Sequence, residues 1–290
     1  MARAHSAVAA AIGGLTVMAS MMRARMGRAV LAVMFGIAAG AGFAASPDSP
    51  DASNVAPDTS LSPQCQAPGS KIYTIAPLKG LRLALRQKRS VKVLAIGSSS
   101  TAGVGATSPL ATYPARLEIE LEGKVKGVDF DVINRGISGE VATEMALRMQ
   151  YEVYAARPDL VIWQVGTNAA LARIDADEFR EVLTDTLQWL KAHKIDVVLV
   201  DPQYTETLAA DPHYARIVKT IDAVAAAERV PLLRRFDAMK FLGSGRPVND
   251  YLAGDRFHMN DLGYRCMAEH LARAITLGVL QAEASAQPAK

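Results

Sequence analysis

Four hydroxyl side chains, Ser98, Ser99, Ser100 and Thr101, follow directly on the apolar run VLAIG at residues 93–97. Three more polar clusters recur further along: NRGISGE from Asn134 to Glu140, Gly166-Thr167-Asn168, and GDRFHMN from Gly254 to Asn260. A serine becomes a nucleophile only when a base can take its proton and a third group orients that base. Five histidines are candidates for the base. His5 lies in a basic, apolar N-terminal segment, and His193 closes a helical run, where an imidazole complements the helix dipole. His213, in DPHY, suits the first turn of a helix, and His270 falls inside the last helix as a packed side chain. His258 differs, because it sits in a loop three residues after Asp255. A short turn can fold the Asp255 carboxylate onto Nδ1 of His258, which leaves Nε2 free to accept a proton. A tetrahedral intermediate also needs anion-binding donors, and the amides of Ser99 and Gly139 with the side chain of Asn168 are of the right type.

Nucleotide chemistry fits the same residues poorly. A phosphate-cradling loop requires Gly-Lys-Ser/Thr after its glycine, and no lysine follows Gly103 or Gly105. A dinucleotide fingerprint requires a third glycine, where Ser108 stands.

The chemistry must be positioned by the segments in between. Five short apolar runs, at 91–97, 130–136, 160–166, 196–202 and 230–236, are β-rich and apolar on both faces, as parallel strands covered by helices are. Between them the apolar residues recur at three- and four-residue steps: Phe179, Val182, Leu183, Leu187 and Leu190 in one segment, Ile217, Val218, Ile221 and Val224 in another. The last helix is expected to open after Asn260, a good N-cap. Five βα units predict one doubly wound α/β/α domain around a five-stranded parallel sheet of flavodoxin-like kind. Ligands of such folds bind beyond the C-terminal strand ends, at the switch in strand order. All four polar clusters fall there.

In this order the clusters resemble the SGNH (GDSL-type) hydrolases, named for a Ser, a Gly, an Asn and a His in separate sequence blocks. The resemblance covers roughly residues 90–278. It implies Ser99 as nucleophile, Gly139 and Asn168 as oxyanion-hole donors beside the Ser99 amide, His258 as general base and Asp255 as its orienting acid. Two positions depart from the common pattern: Ser98 replaces the usual Asp of the first block, and Ala169 the Asp that often follows the Asn. Neither carries triad chemistry, and Ser98 and Ser100 are read as turn and capping hydroxyls. The implied activity is a serine esterase that needs neither metal nor organic cofactor and takes an ester substrate. Short loops at 103–114 and 202–212 lean towards small acyl groups, and an exported location adds O-acetylated glycans as substrates by analogy. Lysophospholipase or thioesterase activity, and a catalytically silent glycan-binding module, are the alternatives.

The ends of the chain carry other information. Residues 1–45 hold Arg3, Arg23, Arg25 and Arg28 and no acid, and without them 28 basic residues face 29 acidic ones. No basic face for nucleic acid is implied. Arg23, Arg25 and Arg28 precede an apolar stretch from Ala29 to Ala45, the features of a cleaved export signal. The mature chain is then expected to be periplasmic or secreted, without a stable membrane span. Residues 46–70 read as a Pro/Ser-rich flexible extension, residues 71–280 as the hydrolase domain and residues 281–290 as a polar tail. The two cysteines, Cys65 and Cys266, could form one disulfide in an oxidising compartment.

Overall fold

The computed structural model describes residues 61–286. The expected leader and the first part of the expected extension lie outside the described residues. Six strands form one sheet: β1 (Tyr73–Thr74), β2 (Ser90–Gly97), β3 (Asp129–Gly136), β4 (Leu160–Gln164), β5 (Asp196–Val200) and β6 (Leu232–Leu233). Their order is β1-β6-β5-β4-β2-β3. All neighbouring pairs are parallel except β1 with β6.

The helices are α1 (Gly69–Ile72), α2 (Lys79–Gln87), α3 (Ser99–Ala102), α4 (Tyr113–Lys124), α5 (Ala142–Ala156), α6 (Thr167–Leu171), α7 (Ala176–Ala192), α8 (Glu206–Ala209), α9 (Pro212–Glu228), α10 (Arg235–Gly245) and α11 (Asp261–Ala284). Strand alternation divides the core. Val91, Val93 and Ala95 of β2 pack with α2, α4 and α11, whereas Leu94 and Ile96 pack with α5, α7 and α9. Strands β4 and β5 alternate likewise, Ile162 and Val198 towards the first layer, Trp163 and Leu199 towards the second. The result is the expected three-layer α/β/α architecture with a mostly parallel sheet.

Three details differ from the sequence expectation. The sheet has a sixth strand, because two-residue β1 pairs antiparallel with an equally short β6; a two-residue strand leaves no periodic pattern. The run at 230–236 is strand only at 232–233, and Arg235 already opens α10. The packed domain is also longer at both ends than residues 71–280. Leu61, Cys65 and Ala67 are buried, and α11 continues to Ala284.

The N-terminal stretch is stapled to α11. The Ser62 amide donates to Glu269 (2.8 Å), the Tyr251 hydroxyl donates to the Gln64 carbonyl (2.8 Å), and Cys65 is disulfide-bonded to Cys266. Three isolated apolar groups and a covalent bond hold a segment whose average composition is that of a tether.

Candidate active site

Strand β2 lies between β4 and β3, so the chain goes from β2 to one neighbour and then crosses to the other. This is the switch in strand order where an α/β sheet opens a crevice. The ends of β3, β2 and β4 carry, side by side, Gly139, Ser99 and Asn168.

Ser99 is the first residue of α3, a position whose backbone N–H has no partner within the helix. Of the three consecutive serines, Ser98 and Ser100 are buried and Ser99 is half-exposed. The Ser98 amide and hydroxyl both donate to Gln164 Oε1, at 3.0 and 3.3 Å, and Thr101 Oγ1 adds a third bond to the same oxygen at 3.2 Å. Gln164, the last residue of β4, thus pins the serine turn from below. Gly97 is required there, because a Cβ would lie 2.1 Å from Thr101 Oγ1. Asn134, near the end of β3, donates to the Thr101 carbonyl at 2.8 Å and accepts from the Gly136 amide at 2.9 Å.

His258 Nε2 lies 3.0 Å from Ser99 Oγ, across 159 positions of sequence. Its Nδ1 lies 2.6 Å from Asp255 Oδ2. The other carboxylate oxygen accepts the amides of Phe257 (3.0 Å) and His258 (2.9 Å). Partial burial works against the charge on Asp255, but the His258 ring and these two amides outweigh it and hold the carboxyl below the usual range. An ionised Asp255 accepts from Nδ1–H, so the Nε2 lone pair faces the Ser99 hydroxyl. The turn that joins Asp255 to His258 closes through the Ala253 amide to the His258 carbonyl (2.7 Å) and places Arg256 at φ 55°.

The loop after α3 fixes the distance between Ser99 and His258. Tyr264 donates its hydroxyl to the Val104 carbonyl (2.6 Å), and Asp261 accepts from both the amide and the hydroxyl of Thr107. Gly105, at φ +92°, lies so close to the histidine loop that a Cβ would meet the Met259 carbonyl at 2.4 Å and His258 Cβ at 3.2 Å. Gly105→Ala is therefore expected to displace His258 and to lower turnover that depends on the Ser99–His258 contact on the order of 10²-fold. Stopped-flow or steady-state rates below the melting temperature check this, and unchanged turnover would show that the loop accommodates the methyl group.

Gly139 occupies a turn at φ +88° with open space where a side chain would stand. The turn is anchored by Glu140, whose carboxylate takes a bidentate pair from Arg148 at 2.6 to 3.0 Å. Asn168 Nδ2 donates to the Glu140 carbonyl at 2.8 Å, which ties the β4 end to this turn and leaves its second amide hydrogen for another acceptor. Among the described residues no group of three or more His, Cys, Asp or Glu side chains is placed to hold a metal ion.

The structure thus brings Ser99, His258 and Asp255 into one hydrogen-bonded line, with Gly139 and Asn168 on the flanking strand ends. Gln164, Asn134 and Gly105 are the positioning residues that sequence reasoning passed over. Gln164 had a visible signal, a polar side chain at the end of a fully buried strand. Two other histidines of the described residues have partners outside this line: His193 Nδ1 meets the Trp189 carbonyl, and His270 Nδ1 meets the Tyr73 hydroxyl.

A family model described as the Non-GDSL lipase-like family matches residues 64–281. The description agrees with residues 97–100, which read Gly-Ser-Ser-Ser rather than Gly-Asp-Ser-Leu. The chain is 27% identical over 208 residues to the acetylxylan esterase of Geobacillus stearothermophilus, covering 63% of this chain and 93% of that one. A lipase/acylhydrolase from Enterococcus faecalis superposes with a TM-score of 0.55 at 25% identity, over 64% of this chain and 95% of that one. A two-domain esterase active on acetylated mannans superposes with a TM-score of 0.61 at 18% identity, over 73% of this chain and 57% of that one. These similarities support an SGNH/GDSL-superfamily esterase fold and a general ester-hydrolase activity.

Proposed function

The chain belongs to the Non-GDSL lipase-like family, and on that premise we propose that it is a serine esterase acting on short acyl or O-acetyl esters outside the cytoplasm. The observation that carries the reading is the unbroken line Ser99 Oγ, His258 Nε2, His258 Nδ1, Asp255 Oδ2, with steps of 3.0 and 2.6 Å. Ser99 Oγ bonds to the ester carbonyl carbon as its proton passes to His258 Nε2, and the carbonyl π electrons move to the oxygen. The amides of Ser99 and Gly139 and the side chain of Asn168 receive that oxyanion. Collapse breaks the bond to the alcohol, which leaves with the proton from His258. Water then repeats the sequence on the acyl-enzyme and releases the carboxylic acid.

Two features support a small acyl group on a carbohydrate. A groove of about 640 Å³ runs from the end of α3 along the β3 edge, lined by Thr107, Ser108, Thr112, Glu118 and Asn134 together with Leu110, Ile119 and Val132. An open groove with this polar rim suits a carbohydrate better than a long acyl chain. The acetyl-ester activities named for the Geobacillus enzyme and the mannan esterase point the same way. The Cys65–Cys266 bond supports an oxidising compartment, in line with residues 1–45 acting as an export signal.

Hydrolysis of p-nitrophenyl acetate, butyrate and octanoate, alongside acetylated xylo-oligosaccharides, tests the reading. The acetyl ester is expected to exceed the octanoyl ester by at least about tenfold in kcat/KM. A preference for octanoate would replace it with a lipase or lysophospholipase reading, and no turnover of any ester would remove the hydrolase assignment.

A further inference from the structure

Beneath the site lies a guanidinium that the mechanism above does not use. Arg235, the first residue of α10, is only 2% exposed. Its Nε donates to the Asp201 carbonyl at 3.0 Å, its Nη2 donates to Gln203 Oε1 at 3.2 Å, and its Nη1 lies 4.0 Å from Met267 Sδ. All of these acceptors are neutral. Among the described residues no carboxylate oxygen comes within ion-pair distance of it. A buried cation without a paired anion is expensive to keep, so its surroundings matter.

The groups that face it are the phenols of Tyr113, Tyr214 and Tyr264 and the carboxyl of Asp201. Burial pushes the three phenols above their ordinary range, so they stay neutral. Asp201 turns one oxygen to the Phe236 amide at 2.9 Å, and burial raises its pKa to about 8. Each arm of this layer ends on a loop of the site. Tyr113 bonds Thr101 Oγ1 at 3.0 Å and Tyr264 bonds the Val104 carbonyl at 2.6 Å, both in the serine loop. Gln203 Oε1, which Arg235 holds, also accepts from Thr167 Oγ1 at 2.9 Å, and Thr167 immediately precedes Asn168. Tyr214 fixes the Gln203 backbone from the other side at 2.6 Å.

We propose that Arg235 is a positioning residue for ester hydrolysis whose buried positive charge, held under Gln203, Thr167 and the adjoining Asn168, stabilises the oxyanion formed at the Ser99 acyl centre. The inference rests on the esterase reading above and deepens it. Its cation never touches substrate; it supplies potential from below, in a medium where charges are weakly screened.

Gln203→Glu separates this role from a purely structural one. The substitution keeps the acceptor for Arg235 and Thr167 but sets an anion 3.2 Å from the guanidinium, which neutralises the field while adding an ion pair. The variant is expected to keep or raise its melting temperature, with kcat for p-nitrophenyl acetate lowered about tenfold and KM unchanged. One unit charge at roughly 10 Å and an effective dielectric constant near 20 has an effect of that size. Unaltered kcat at a retained melting temperature would overturn the proposal. Should Gln203→Glu fail to fold, Arg235→Lys and Arg235→Met decide the matter at a temperature where both are folded. The lysine variant should then exceed the methionine variant about tenfold in kcat, and equal rates would overturn the proposal. Ser99→Ala run in parallel keeps the two claims apart. Activity that survives Ser99→Ala sinks the esterase reading itself, whereas Ser99-dependent activity indifferent to Gln203→Glu sinks only the role of Arg235.

Discussion

His258→Ala is expected to lower kcat for p-nitrophenyl acetate by about 10⁴–10⁶-fold, with the far-ultraviolet spectrum and melting temperature nearly unchanged. The ring is half-buried and sits on a loop at the mouth of the site, so its loss opens little of the core. What it removes is the acceptor 3.0 Å from Ser99 Oγ. Ser99→Ala should cost about the same, and the double variant little more, because residues that act as a unit lose their effect together. Asp255→Asn should cost on the order of 10⁴-fold, since an amide in that place can stabilise the wrong imidazole tautomer. Burst-phase and steady-state kinetics on the three single variants and one double variant measure this directly. A His258→Ala enzyme within tenfold of wild type would show that another group takes the serine proton.

Removing the covalent staple should produce the largest change in stability. The bond between Cys65 and Cys266 closes a loop of 201 residues between two buried side chains, 0% and 3% exposed. The chain-entropy model credits a loop of that length with up to about 5 kcal/mol. For a domain of this size such a loss corresponds to a fall of roughly 10–20 °C in Tm. The Cys65→Ala/Cys266→Ala variant is the suitable probe, because serine would bury two hydroxyls without assured partners. Scanning calorimetry with and without reductant should give matching shifts for reduced wild type and for the variant. Turnover at 25 °C should survive, since no triad residue touches the bond. A shift under about 3 °C would mean that Leu61, Ala67 and the bonds from Ser62 and Tyr251 already hold the segment in place.

These two expectations draw on residues that differ in how openly the sequence displays them. Ser99, Asp255 and His258 could be singled out because each lies where an apolar run or a helical pattern ends, and because Asp-x-x-His is a local relation. Strands β2, β4 and β5 were equally visible, since side chains buried on both faces leave continuous apolar runs, whereas β3, at the sheet edge, buries only Phe130 fully. Gln164, Asn134 and Gly105 reach partners as far off as Ser98, Thr101 and Met259, and although a polar residue ending a buried strand flags Gln164, nothing in the chain says which residues these three meet. Arg235 is the sharpest case. In VPLLRRF it extends an apparent strand, yet its backbone begins a helix and its charge is buried, because Asp201 and Gln203 from the preceding strand end supply acceptors that the sequence alone does not connect to it. Residues 61–70 are hard to read for a different reason: an average over composition cannot register Leu61 and Ala67 as buried anchors or Cys65 as one end of a covalent bond.

The order of the strands has one more consequence. The nucleophile and both flanking donors hang from three adjoining strands, whose separation is set by the hydrogen-bonded lattice at about 4.8 Å, while the proton acceptor arrives on a loop from the far end of the chain. Mild warming or dilute denaturant reaches such a loop before it reaches a buried sheet. On the roles proposed above, turnover is then lost while the anion-binding donors stay in place, so that recognition outlasts reactivity.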